Sequence, residues 1–213
     1  MTFDVDKFKG YLEAAGGPAR NNKFRVRIYK PKCLQPGSYF VKNNLTTAQN
    51  MYEGISTLDY FIEAASIPGV SHNTHEIRRY GYGSFEKRPY ATSFTDFNCQ
   101  ILFDNKRRNY DFLQIWMSAI SNYNYQDGII GSATTSGLNT FEIEYKDNYM
   151  TNIDLDIYDE ADNNIAQYRF IEAYPIFIGD MPLNWGDTNN ILRIPVTFTY
   201  YSWYSVSTAT RLG

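Results

Sequence analysis

The chain has 213 residues, a formal net charge of −3 and a 17% share of aromatic residues, with 19 tyrosines and 14 phenylalanines. This length fits one domain with its own core, and the weak acidity argues against a protein that grips nucleic-acid phosphates. The first residues lack the basic and apolar regions of a signal peptide, and no stretch is apolar for long enough to cross a membrane. Cys33 and Cys99 are far apart, so we expect free thiols in a reducing cytoplasm.

The N-terminal quarter predicts an arm, a strand and a loop. Residues 1–20 show weak helical periodicity that ends at a Gly-Gly-Pro sequence, and they predict an N-terminal arm that packs as a helix or orders on assembly. Residues 23–30 alternate between apolar and basic side chains, which indicates a strand with Arg25 and Arg27 on its polar face. Residues 31–57 are polar and rich in turn formers, so they predict a long insertion loop.

The middle of the chain predicts three strands and one substantial helix. Strand patterns occupy residues 58–65, 75–83 and 93–104. Residues 81–91 contain two glycines and a proline and predict a long connection between the last two strands. Residues 105–122 carry apolar side chains, including Trp116, at three- and four-residue spacing, which is typical of an amphipathic helix that covers a sheet.

The C-terminal part predicts a hairpin and a final strand. Residues 123–140 are rich in Gly, Ser, Thr and Asn and predict a flexible loop, and residues 205–213 form a tail. Strand patterns occupy residues 149–157, 165–174 and 191–204. We expect Trp116, Trp185 and Phe198 in the core. The whole chain, residues 1–213, is predicted to be a single mainly β domain, an antiparallel β-sandwich or half-barrel with one flanking α-helix.

Few residues offer catalytic or metal-binding chemistry. His72 and His75 have a spacing that binds zinc on a helix, but here they follow a Pro-Gly turn into a strand and lack a third ligand. The sequence has no phosphate-binding loop, dinucleotide fingerprint or nucleophile elbow. Asp154 and Asp156 share a strand face, where they could serve acid–base chemistry or calcium, or could form a solvated surface. We therefore expect no enzyme activity, cofactor or metal.

Three blocks of sequence follow one another in a defined order. The first, ARNNKFRVRI at residues 19–28, places two asparagines shortly before the first strand. The second, AASIPGV at residues 64–70, is a Pro-Gly turn that precedes a basic strand and the helix with Trp116. The third, residues 165–204, contains Trp185 and a Thr- and Val-containing strand that ends near Tyr-Ser-Trp. Together these blocks resemble the tail tube proteins of contractile-tailed, T-even-type bacteriophages.

The resemblance implies a structural subunit of a virion tail. Such subunits form hexameric rings that stack into a hollow tube, and their sheets merge into one large continuous barrel around the lumen. The implied partners are further copies of the chain, the tail sheath, the baseplate and the tail terminator. Double-stranded DNA would pass without specific binding, and the tube would pierce the host envelope without stable membrane insertion. Assembly would take place in the host bacterial cytoplasm.

The resemblance also gives the charged residues expected roles. Asp154 and Asp156 would face the lumen and repel DNA phosphates. Inter-subunit salt bridges would use four basic residues, namely Arg25, Arg27, Arg78 and Arg79.

Four other functions remain open at this stage. The long loop 31–57 and the tail 205–213 depart from the family pattern and would suit a baseplate tube-initiator paralogue or the tube of a related contractile injection system. A carbohydrate-binding β-sandwich could use exposed Tyr and Trp side chains. A hydrolase built on Asp154 and Asp156 has the least support.

Overall fold

The structure is a computed structural model that describes residues 5–14, 17, 21–35, 58–78, 81–121, 123, 143–186 and 190–206. Most of the predicted insertion loop, flexible loop and C-terminal tail, together with Arg79, lie outside the described residues. No helix in the described ranges is long and apolar enough to span a membrane.

The described fold has nine strands, three α-helices with defined bounds, a 3-10 turn (Lys32–Leu34) and a helical turn at residues 58–61, so the strand predicted over 58–65 begins only at Ile62. The helices are α1 (Val5–Ala14), α2 (Arg108–Ser121) and the single turn α3 (Lys146–Tyr149). The strands are β1 (Phe24–Ile28), β2 (Ile62–Ala65), β3 (Val70–Ile77), β4 (Glu86–Phe94), β5 (Phe97–Leu102), β6 (Thr151–Tyr158), β7 (Asn164–Ile178), β8 (Arg193–Thr199) and β9 (Ser202–Val206). The predicted mainly β, antiparallel class is confirmed.

The long strand β7 joins two halves of one antiparallel sheet. The sheet order is β1-β6-β7-β8-β5-β2, and β9 also pairs with β7. The first half of β7 lies between β6 and β9, whereas its last residues, 174–178, pair with β8. A register shift interrupts the β6–β7 ladder, and Glu172 there adopts a left-handed φ of 56°. A bulge of this kind bends a strand, which lets β7 serve both halves.

The core lies between the two halves of the sheet and is sealed by α2. Apolar side chains alternate inward along the strands, as in β5 (Phe97, Cys99, Ile101) and β8 (Ile194, Val196, Phe198), all of them buried. Trp116 and Phe112 of α2 pack there, and the Trp116 ring lies 5.9 Å from that of Phe198. The Trp116 Nε1 also donates a hydrogen bond of 2.9 Å to the Tyr149 carbonyl, so the helix is held by packing and by a polar contact.

Helix α2 begins later than the sequence pattern predicts. The Asp104 carboxylate accepts hydrogen bonds from the Asn109 backbone N–H and the Arg108 side chain, both at 3.2 Å. Arg107 has a left-handed φ of 61°, so the chain turns sharply before the helix starts. The first residues of the predicted range, 105–107, therefore form a turn that caps the helix and are not helical themselves.

The predicted connection at residues 81–91 is wrong, because most of it belongs to strand β4. Strands β2 and β3 run antiparallel to β5 and β4, and the pairs Ala65↔Cys99 and Val70↔Phe94 share one register. The four strands thus form a single long hairpin. Its base is part of the main sheet, and its outer half, β3–β4, projects as a separate two-stranded sheet with almost every residue exposed.

Candidate functional site: the assembly surfaces

One face of the β2–β5–β8 sheet is exposed, polar and nearly neutral. The exposed side chains alternate with the core residues and include Asn98, Gln100 and the half-buried Thr197. The Thr197 hydroxyl donates to the Asn98 side chain at 2.7 Å, so this face is hydrogen-bonded across strands. Glu63 and Arg193 form an ion pair on the same sheet, with one contact of 2.9 Å. The surface therefore offers hydrogen-bonding groups with little net charge.

Two strands leave an edge of this sheet unpaired in the described part of the chain. β2 pairs only with β5, and residues 174–178 of β7 pair only with β8. Ile176 and Phe177 are exposed at the β7 edge, where a groove runs between this edge and α2. An exposed apolar sheet edge is a template for pairing with another chain.

Two projections lie at opposite ends of the same sheet. The β3–β4 hairpin extends from the end where β5 begins and β8 finishes, because Phe97 pairs with Phe198. The described residues between β7 and β8, 179–186 and 190–192, lie at the other end, where Leu102 pairs with Arg193. Both carry exposed aromatic side chains, which are Tyr82, Phe85 and Tyr90 on the hairpin and Trp185 on the loop.

The assignment of Trp185 to the core is wrong. Its side chain is fully exposed at a turn in which the Asn184 side chain accepts a hydrogen bond from the Gly186 backbone N–H at 3.0 Å. That contact closes an Asx-type turn, which directs the intervening residue outward. Trp116 and Phe198, the other two expected core residues, are fully buried.

The expectation that Asp154 and Asp156 present negative charge to a pore is also wrong for this subunit. Their exposed fractions are 0% and 2%, because basic side chains from the neighbouring strands cover them. Arg169 binds Asp154 through two contacts of 2.7 and 2.8 Å, and the Tyr29 hydroxyl donates to the same carboxylate at 2.9 Å. Arg27 binds Asp156 at 3.3 Å. The contact with Asp154 raises the pKa of Arg169 above its ordinary value.

The expected inter-subunit cations occupy different settings. Arg25 binds Asp59 at 3.0 Å and lies over the Tyr60 ring, so it joins β1 to the helical residues 58–61 before β2 inside one subunit. Arg27 is paired with Asp156, as described above. Arg78 is exposed at the tip of the β3–β4 hairpin, where its guanidinium lies 4.1 Å from the Phe85 ring centroid.

The two cysteines are buried thiols. Burial raises the pKa of Cys33 and of Cys99 to about 12, which leaves almost no reactive thiolate. We expect neither residue to react with iodoacetamide in mildly alkaline buffer while the protein is folded, and both to react in urea. Mass spectrometry counts the adducts, and rapid labelling of the folded protein would contradict the buried placement. Among the described residues, no cluster of His, Cys, Asp and Glu could hold a metal ion.

Comparisons with known proteins identify a family and a fold. A family model described as phage tail tube protein matches residues 19–206. No curated protein matches the chain.

Three solved structures share the fold at low sequence identity. A chain of the cryo-EM structure of the PVC sheath–tube complex, an extracellular contractile injection system in the extended state, is 13% identical, with a TM-score of 0.54 and coverage of 97% of this chain and 100% of that chain. A chain of the PVC sheath/tube terminator is 14% identical, with a TM-score of 0.53 and coverage of 89% and 97%. A chain of the anti-feeding prophage tube-terminating cap is 13% identical, with a TM-score of 0.54 and coverage of 90% and 92%.

Proposed function

The chain belongs to the phage tail tube protein family and is a structural subunit of a tail tube, and we propose that six copies close into a ring through the free edges of the β2–β5–β8–β7 sheet. The observation that carries this proposal is the pair of unpaired edges on one four-stranded antiparallel unit. Neighbouring strands of the unit alternate in direction, so β2 and β7 run in opposite directions. Rotation about a ring axis then brings β7 of one copy antiparallel to β2 of the next.

The geometry of this ring also assigns the lumen. One face of the four-stranded unit is covered by the core, so the opposite face must look toward the axis of a closed ring. That face carries Asn98, Gln100 and Thr197, and the exposed Phe177 lies on it because it pairs with Thr197. Its arginine, Arg193, is paired with Glu63. In the described part of the chain, this wall presents amide, hydroxyl and apolar groups and no unpaired cation, so it gives DNA phosphates little to bind tightly and the duplex can slide.

The proposed setting follows from the family and from the assemblies that contain the structurally similar chains. The protein is a component of the virion tail. We place the stacked rings inside a contractile sheath, between a baseplate and a terminator, because chains of a sheath–tube complex and of a terminator share this fold. In this proposal the tube is assembled in the host cytoplasm and is driven through the host envelope, after which the genome passes along it.

One alternative has support from the fold. Two of the similar solved structures, the PVC sheath–tube complex and the PVC terminator, are named for an extracellular contractile injection system. The tube of such a machine without a genome would use the same ring. Nucleic acid content of isolated particles separates the two, because a phage particle contains DNA and a secretion particle does not.

A charged residue at the free β7 edge tests ring closure. We expect Phe177→Lys to abolish six-fold rings in negative-stain images of the purified protein and to leave monomers, because a lysine at a sheet edge opposes edge-to-edge pairing. The unfolding temperature should stay close to that of the unmodified chain, since the Phe177 side chain is exposed.

Ile165→Lys is the matched control, since Ile165 is an exposed apolar residue at the start of β7, between Asn164 and Ala166, which pair with β6. It should still form rings. Rings from Phe177→Lys would show that the β7 edge does not close the ring.

A further inference from the structure

We propose that Tyr60 of one copy inserts into the groove between α2 and the free β7 edge of the next copy in the same ring, where its hydroxyl donates a hydrogen bond to Asp180. This inference rests on the proposed ring and deepens it, because it adds a side-chain anchor to the pairing of β2 with β7. The partner is a second copy of this chain.

The first step is the shape and chemistry of the groove. It measures about 480 Å³ and runs along the part of β7 that pairs only with β8. Its lining includes the apolar side chains of Met117, Ile176 and Met181. It also has polar groups, since the Gln114 side chain donates to the Tyr110 hydroxyl at 2.7 Å on its α2 side. A recess of mixed polarity suits a tyrosine, which has an apolar ring and a polar tip.

The second step is that the groove contains an acceptor. Asp180 lies in its lining and is exposed. Within the described residues, no ion pair or hydrogen bond engages its carboxylate. A hydroxyl that enters the groove can therefore donate to a carboxylate that has no competing partner in its own subunit, and such charge-assisted bonds are stronger than those between neutral groups.

The third step is that Tyr60 is held in place beside the other free edge. It lies just before β2 with an exposed fraction of 77%, whereas Leu58 and Ile62 on either side of it are buried. Asp59 binds Arg25 at 3.0 Å, and the Arg25 guanidinium lies 5.6 Å from the Tyr60 ring centroid. The Tyr60 hydroxyl has no hydrogen-bond partner in the part of the chain that the structure describes. A side chain positioned in this way loses little conformational freedom when it binds.

The fourth step is strand direction. β2 and the free part of β7 are antiparallel in the proposed ring, so the residues that precede β2 lie opposite those that follow β7. β2 covers Ile62–Ala65, and the free part of β7 covers residues 174–178. Pairing that uses the full length of both edges places residues 58–61 beside residues 179–181. Tyr60 of one copy then reaches the Asp180 end of the groove of the next copy.

The fifth step is that both elements lie on the outer side of the ring wall. Trp116 of α2 packs against Phe198 on the core side of the four-stranded unit, which faces away from the axis, so the groove opens on that side. Tyr60 lies against Arg25 of β1, which belongs to the half of the sheet beyond the core. The contact therefore leaves the lumen face unchanged.

The first test truncates the anchor. We expect Tyr60→Ala to raise the protein concentration at which half of the chains are in rings by about tenfold or more, since tyrosines at interfaces are frequent hot spots. Sedimentation velocity over a dilution series measures this concentration. The unfolding temperature should stay close to that of the unmodified chain, because Tyr60 is exposed in the subunit. Tyr145→Ala is the control, because Tyr145 is 83% exposed and lies outside both edges and the groove, and it should assemble like the unmodified chain.

The second test isolates the hydrogen bond. Tyr60→Phe and Asp180→Ala should each raise the assembly concentration by about three- to tenfold, because each removes one partner of the same bond. The double variant should assemble about as well as either single variant. Effects that multiply in the double variant would show that the hydroxyl and the carboxylate do not meet.

The third test maps the contact with cysteines at the two sites. Cys33 and Cys99 are buried, so a chain that carries both Tyr60→Cys and Asp180→Cys can be cross-linked selectively with a bismaleimide, at a concentration where its rings are present. A contact within the ring joins each copy to its two neighbours, which gives a ladder of denatured products that ends at six. Each single-cysteine variant should remain mostly monomeric.

The outcomes separate this inference from the proposed ring. Unchanged assembly of Tyr60→Ala, or a doubly substituted chain that yields only monomers while rings are present, would overturn the Tyr60 contact and leave the ring intact. A ladder that continues beyond six would place the contact between rings and would also overturn the inference. If the unmodified chain forms no rings at any concentration, the proposed function itself fails.

Discussion

Trp116→Ala is expected to lower the free energy of unfolding by about 3–5 kcal/mol, the usual cost of truncating a large aromatic side chain in a core. Trp116 has no exposed surface and packs against Phe112 and Phe198 with ring centroids 5.6 and 5.9 Å away. Its indole N–H also satisfies the Tyr149 carbonyl. Truncation therefore opens a cavity between helix and sheet and leaves that carbonyl without its donor.

Urea denaturation followed by circular dichroism measures this loss. Trp185→Ala is the matched control, because it removes the same side chain from a fully exposed position and should change the free energy of unfolding by less than about 0.5 kcal/mol. Equal losses for the two variants would show that α2 does not seal the core. Trp116→Phe should cost less than Trp116→Ala, since it keeps most of the apolar volume but not the hydrogen bond.

These two tryptophans show what the sequence could and could not predict. Trp116 lies within a helix whose apolar residues repeat at three- and four-residue spacing, so periodicity alone predicted that it is buried. Trp185 lies in an irregular loop, where no repeat relates a residue to the core. Hydrophobicity then favoured burial, yet a short Asx-type turn directs the side chain outward.

The β3–β4 hairpin was hard to predict for a similar reason. Its strands lack the apolar alternation that burial of one face imposes, because both faces are exposed in the subunit. Pro89 and the register shift beside it interrupt the pattern further. By contrast, β5 and β8 each have a buried face, and their alternation predicted both the strands and the core residue Phe198.

Strand alternation placed Asp154 and Asp156 correctly on one face of β6 but could not show what covers them. That information lies in the strand pairing, which sets Arg27 and Arg169 directly opposite Asp154 on the two neighbouring strands. Cross-strand neighbours of opposite charge attract each other, and long arginine side chains can bury a short carboxylate between them. A row that resembled an acidic surface in the sequence is therefore an internal ion-pair network.

Asp154→Ala should consequently lower the free energy of unfolding by about 2–4 kcal/mol, somewhat below the usual cost of breaking a fully buried pair. The expected loss is smaller than for a fully buried pair because the Arg169 side chain is 34% exposed and can recover some hydration when Asp154 is removed. The Tyr29 hydroxyl also loses its acceptor. Asp111→Ala is the control, since its pair with Arg107 is exposed and should contribute no more than about 0.5 kcal/mol.

A double-mutant cycle of Asp154→Ala with Arg169→Ala distinguishes the ion pair from simple packing. If the two-point contact accounts for the loss, the cycle should give a coupling free energy of about 1–3 kcal/mol, because the second substitution removes the charge that the first one left unpaired. Strictly additive losses would mean that each residue acts through packing alone. Because the network holds β6 between β1 and β7, and β7 supplies the free edge proposed for ring closure, Asp154→Ala should also weaken ring formation, which the same negative-stain images would reveal.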